Sequence, residues 1–159
     1  MTLVELMIVV VIVGVLSVLA ITGFRRYTLS ARNTEAQNFL GTVRAAQEAY
    51  YQSFGQYCGT VAEARWPAQI PIENKVLWGQ PPAGNAWRDL GIKSPGHVWF
   101  QYMLRAGRPD QAAGAAFEVQ PETHWFQATA HGDFNNDQIL STFEVTSKTT
   151  TVYILRENE

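Results

Sequence analysis

Cysteine is almost absent from this chain: among its 159 residues only Cys58 is one. A single thiol excludes an intrachain disulfide and any cysteine-rich zinc or iron–sulfur centre. Charge is sparse and balanced, with 12 Lys and Arg against 14 Asp and Glu. A net charge of −2 offers no basic surface for neutralising phosphates, so no specific nucleic-acid partner is expected. There are three histidines, no glycine-rich phosphate loop and no spacing that pairs a nucleophile with a base. The chain is therefore not expected to be an enzyme. Proline is missing upstream of Pro67, which frees the whole N-terminal stretch of the strongest helix breaker. Disorder is excluded by what is abundant instead. Hydrophobic residues make up 47%, with five Trp, six Tyr and eight Phe, enough to build a packed core.

From Leu6 to Phe24 the chain carries no charge at all. A helix needs about 20 apolar residues to cross the hydrocarbon of a bilayer, and this run is long enough. A fully buried core helix is the alternative, but the rest of the chain is too small to surround such a helix. A cleaved signal peptide fits poorly, because its positive charges precede the apolar core and that core is shorter. Here Glu5 stands in front of the run and Arg25 and Arg26 follow it. Charge bias alone would leave those arginines in the cytoplasm.

Beyond the arginines the pattern becomes one-sided. Ala36, Leu40, Val43, Gln47 and Tyr50 recur at spacings of three and four, flanked by Phe39 and Ala46. Gly55 supplies a C-terminal stop. One helix is thus predicted over residues 1–54, its first 25 or so for an apolar medium and its second half packed on a domain. Residues 55–96, with Pro67, Pro71, Pro81, Pro82 and Pro95, read as an irregular connection. Alternating strands are predicted at His97–Leu104, Ala115–Gln120, Thr123–His131, Leu140–Val145 and Thr150–Arg156, the last two as a hairpin. The predicted fold class is α+β: an antiparallel sheet over 97–159, within a head of 55–159, resting on the amphipathic half of a long helix.

The opening MTLVELMIVVVIVGVLSVLA resembles the mature N-terminus of the type IV pilins and the related pseudopilins. Met1, Thr2, Leu3 and Glu5 stand where that family has its methylated first residue and Thr-Leu-x-Glu, and Gly14 matches a frequent glycine. The resemblance covers roughly the first 30 residues closely and the helix-then-sheet layout loosely. It implies removal of a short basic leader by a prepilin peptidase, with methylation of Met1. It also implies storage in the bacterial inner membrane with the head in the periplasm, opposite to the charge-bias reading. Assembly by dedicated pilus machinery into an extracellular homopolymer would follow. Many family members have proline where this chain has Thr22, followed here by Gly23. Those two residues and Gly14 are candidate weak points of the helix, glycine costing about 1 kcal/mol against alanine. Many members also staple a distal loop with a disulfide, which this chain cannot form.

Glu5 has a physical role of its own. A carboxylate at membrane depth costs a few kcal/mol unless it is paired. The amine of Met1 lies about one turn away, and the amine of a neighbouring subunit would serve in an assembled bundle, so that the pair sets the register. Otherwise the side chain snorkels to headgroup water. A second constellation lies near the C-terminus. Asp133, Asn135, Asp137, Ser141 and Glu144 fall at positions 1, 3, 5, 9 and 12 of an EF-hand-type calcium loop, with the Ile139 carbonyl at position 7. Gln138 takes the place of the usual glycine. The alternative is an Asx-rich turn that caps its own backbone. Possible Ca²⁺ binding is the one cofactor expected.

Three filament roles follow from the resemblance. The first is a structural subunit of a type IV pilus, serving adhesion, twitching motility or DNA uptake. The second is a pseudopilin of type II secretion, and the third is a minor pilin.

Overall fold

The computed structural model describes residues 2–113, 117 and 120–156. Two compact units make it up, Met1–Thr34 and Glu35–Glu159. Helix α1 runs from Leu3 to Phe54 and contributes to both. It stops where the sequence predicts: Gly55, at φ 68°, donates its N–H to the Tyr51 carbonyl at 2.8 Å, a left-handed cap.

Within the second unit, the amphipathic part of α1 lies against an antiparallel sheet, so the fold class is α+β. The predicted stripe is the buried one. Ala36, Leu40, Val43 and Gln47 are fully buried, with Phe39, Ala46 and Tyr50 partly so. Gln47 is buried because both ends of its amide are used. Its Oε1 accepts from the Cys58 N–H at 2.9 Å and its Nε2 donates to the Cys58 carbonyl at 2.8 Å, pinning the chain that leaves the helix.

The main sheet has five strands in the order β1 (Ala64–Trp66), β4 (Gln101–Gly107), β5 (Trp125–Gly132), β6 (Ser141–Thr146) and β7 (Tyr153–Arg156). A second small ladder joins β2 (Val76–Leu77) and β3 (His97–Val98), and a short helix α2 spans Ala86–Asp89. Every pairing between these strands is antiparallel, and an isolated parallel bridge joins Ile72 to Asp133. Alternation sorts the two faces. Tyr102, Leu104, Ala106, Phe126, Ala128, Ala130, Phe143 and Val145 face the helix and join the core. The residues between them, such as Met103, Arg105, Gln127, Thr129, His131, Thr142 and Glu144, line the opposite face.

Two features differ from the sequence prediction. His97–Leu104 is not one strand. β3 and β4 belong to different sheets, and the chain changes ladder at Trp99–Phe100. Trp99 donates its N–H to Glu35 of α1 at 2.8 Å instead of to a strand. Residues 55–96 are not wholly irregular, since β1 forms an edge of the main sheet through Ala64–Leu104 and Trp66–Tyr102 pairing. Of the predicted strand Ala115–Gln120, residues 115, 116, 118 and 119 lie outside the described residues. The predicted hairpin of the last two strands is present as β6 and β7.

Aromatic rings fill the space between helix and sheet. Phe39 sits 4.0 Å from Tyr102 and 5.0 Å from Trp78, centroid to centroid, and Trp78 meets Trp87 edge-on at 5.9 Å. Trp125 packs so closely on Gly107 that a Cβ there would lie 2.5 Å from the indole, which requires glycine at that point.

Candidate functional site

The first unit presents the opposite surface chemistry. Residues 2–27 are all exposed. An 18-residue window of α1 near the N-terminus has mean hydropathy 3.0 with none of it buried, long and apolar enough to cross a membrane. Gly14 and Gly23 meet nothing within 4 Å where a Cβ would stand. The Thr22 hydroxyl bonds back to the carbonyls of Leu19 at 3.0 Å and Val18 at 3.3 Å, a pattern that slightly weakens a helix.

Glu5 does something here that the sequence prediction missed. Its Oε2 accepts from the Thr2 N–H at 2.7 Å, while its own N–H donates to Thr2 Oγ1 at 3.3 Å. This reciprocal pair is a capping box, legible in the spacing Thr2-x-x-Glu5. It satisfies two of the orphan donors at the start of α1 and favours a negative charge beside the helix N-terminus. Met1, the amine proposed for pairing with Glu5, lies outside the described residues.

The distal loop is a network of short-range bonds. Asp133, 3% exposed, accepts from the N–H of Asn136 at 2.8 Å and of Gln138 at 3.1 Å. Asn135 accepts from the Asp137 N–H at 3.3 Å, donates to Asp137 Oδ2 at 2.9 Å, and Asp137 Oδ1 accepts from Ile139 N–H at 2.7 Å. Gln138 is at φ 66°, the left-handed conformation for which calcium loops use glycine at the sixth position. Asp133, Asn135, Asp137 and Ile139 are thus brought together on one turn. Ser141 opens β6 opposite Gly132, fully buried. Glu144 is not brought to the loop: it stands on the outer face of β6 and accepts from Gln127 Nε2 at 2.8 Å. The six predicted residues therefore do not form one ligand set, and no group of three acidic, His or Cys side chains suited to a metal occurs among the described residues.

The described residues thus combine an exposed apolar helix start, capped by its own Thr and Glu, with a sheet head that has a core of its own. No protein-family profile matches it, and neither does a solved structure. It is 29% identical over 99 residues to a fimbrial protein of Neisseria meningitidis serogroup B, a match covering 56% of this chain and 58% of that protein. The chain thus spans less than two thirds of that relative's length. The match supports the resemblance to the type IV pilins drawn from the N-terminal residues.

Proposed function

We propose that the chain is a structural subunit of a type IV pilus filament, polymerising through α1 with Met1 as its methylated first residue. The observation that carries this is the apolar window of α1, exposed along its whole length in a chain whose head has a complete core. Such a surface is stabilised by lipid or by packing against other protein, copies of itself included. The fimbrial relative agrees with that use. The chain is held in the inner membrane before assembly, the machinery then packs the helices into a bundle, and the head reaches the cell exterior. Adhesion, motility or DNA uptake are the roles such a filament serves.

Glu5 tests this. Glu5→Gln keeps the capping geometry, since the box accepts Gln as well as Glu, but removes the charge. Glu5→Ala removes both. Expressed in a pilus-assembling bacterium, both variants are expected to lose filaments in negative-stained sheared material while the subunit stays in the membrane. Filaments from Glu5→Gln but not Glu5→Ala would leave the cap alone as the role of this residue. Failure of the native chain to give long fibres would favour a short secretion pseudopilus or a minor subunit.

We propose separately that the turn at Asp133, Asn135, Asp137 and the Ile139 carbonyl takes up Ca²⁺, with Glu144 outside the set. The left-handed Gln138 is the observation favouring it. Excess Ca²⁺ should raise the melting temperature of the full chain in detergent and Mg²⁺ should not, because Mg²⁺ demands a smaller octahedral shell. Asp137→Ala should abolish the response. Identical melting with chelator and with Ca²⁺ identifies a turn sustained by its own Asx bonds.

A further inference from the structure

The outer face of the main sheet carries a groove of about 400 Å³. Met103 and Leu155 give it apolar walls, and outward side chains of β5 and β6 form its floor. The polar groups there pair unevenly. His131 Nδ1 lies 3.2 Å from Thr142 Oγ1 and its Nε2 3.1 Å from Thr129 Oγ1, so both ring nitrogens have hydroxyl partners. Glu63 is held by Arg65 at 2.6 Å and Arg105 at 4.0 Å, and Arg105 also donates to the Val61 carbonyl at 3.0 Å. Glu144 remains. It is 9% exposed, and its carboxylate has one side-chain donor, Gln127 Nε2, and no cation within 4.0 Å among the described residues. The same Gln127 amide leaves its Oε1 without a donor. The groove therefore holds, besides the Arg105 guanidinium, one carboxylate with no cation within 4.0 Å and one amide oxygen with no donor, among the described residues.

We propose that this groove binds an alkylammonium or alkylguanidinium group, its charged end on Glu144 beside the Gln127 carbonyl and its methylenes between Met103 and Leu155. Folding has already stripped most water from Glu144, so a cation gains a charge-assisted hydrogen bond at little further desolvation of the carboxylate. Met103 and Leu155 suit an alkyl stem, the thioether being a soft and adaptable contact. The cation comes either from a free amine or from a Lys or Arg of another copy of this chain. Only the second source rests on the filament reading.

Met103 gives a clean reporter, because Met1 and Met7 fall in the first unit. With ¹³C-methyl-labelled methionine in the full chain in detergent micelles, n-butylammonium should shift the Met103 methyl signal saturably in the millimolar range. n-Butanol, of the same length and uncharged, should not. Glu144→Gln should weaken binding about tenfold or more by removing the charge. Leu155→Lys alters a side chain 60% exposed, so the fold is not at risk, and its own ammonium should fill the groove and suppress the probe. An unmoved Met103 signal overturns the proposal, as does an equal response to n-butanol or unchanged affinity in both variants. In assembled filaments, a Met103 signal already at the bound position assigns the cation to a neighbouring copy. A free signal that titrates as in micelles assigns it to a free amine.

Discussion

Glu35 shows how much one side chain can hold together. From α1 it accepts the Trp99 N–H at 2.8 Å, and its other oxygen lies 3.9 Å from Lys75 Nζ, which in turn sits 5.3 Å from the centre of the Trp99 ring. Burial pushes its pKa above the usual value of 4.5, outweighing the Trp99 bond and Lys75, which pull it down. The sign follows from linkage. A carboxyl raised in the folded state contributes stability while protonated, and that contribution disappears as pH climbs above 4.5 through the raised value. Glu35→Gln keeps a carbonyl to accept the Trp99 N–H and cannot ionise. Its melting temperature relative to the native chain should therefore rise as the pH climbs above 4.5 through the raised value. A difference that stays flat with pH would show an unperturbed carboxyl. Neither this role nor that of Gln47 was legible in the sequence. Gln47 lay in the predicted stripe, but its bonds to Cys58 and the reach of Glu35 to Trp99 depend on segments brought together by folding. Glu5 is the contrary case, since both halves of its capping box sit within one turn.

Elements whose signal is periodic were legible, and those defined by a partner were not. The buried stripe of α1 and its stop at Gly55 follow from a 3.6-residue period and one permissive glycine. β5, β6 and β7 follow from alternation, with bounds shifted by up to three residues, as from Thr150 to Tyr153. β1 is three residues long and is a strand only because β4 pairs with it, so nothing in Ala64–Trp66 announces it. The break between β3 and β4 hides inside a continuous apolar run. In the apolar part of α1, Gly23 has open space around it and follows the back-bonding Thr22. Gly23→Ala should therefore stabilise the local helix by about 1 kcal/mol, read as a roughly fivefold gain in hydrogen-exchange protection of the neighbouring amides in micelles. Unchanged protection would mean that Thr22 and Gly23 are not a weak point.

At the scale of the molecule, the division of labour is sharp. The buried hydrophobic core cluster runs from Ala36 to Val145 and includes no residue of the apolar N-terminal run. The run from Leu3 to Phe24 is exposed throughout. Apolar burial scales with area removed from water, so the run from Leu3 to Phe24 gains none of it in the isolated chain. A chain beginning at Ser30 keeps the whole stripe of α1, the Gln47–Cys58 clamp and all five strands of the main sheet. It should be monomeric without detergent and melt cooperatively, within a few degrees of the full chain in micelles. A broad transition, or loss of near-ultraviolet circular dichroism from the Trp78–Trp87–Tyr102 cluster, would show that the apolar segment takes part in folding the head. A cooperative melt would assign that segment wholly to interactions outside its own chain.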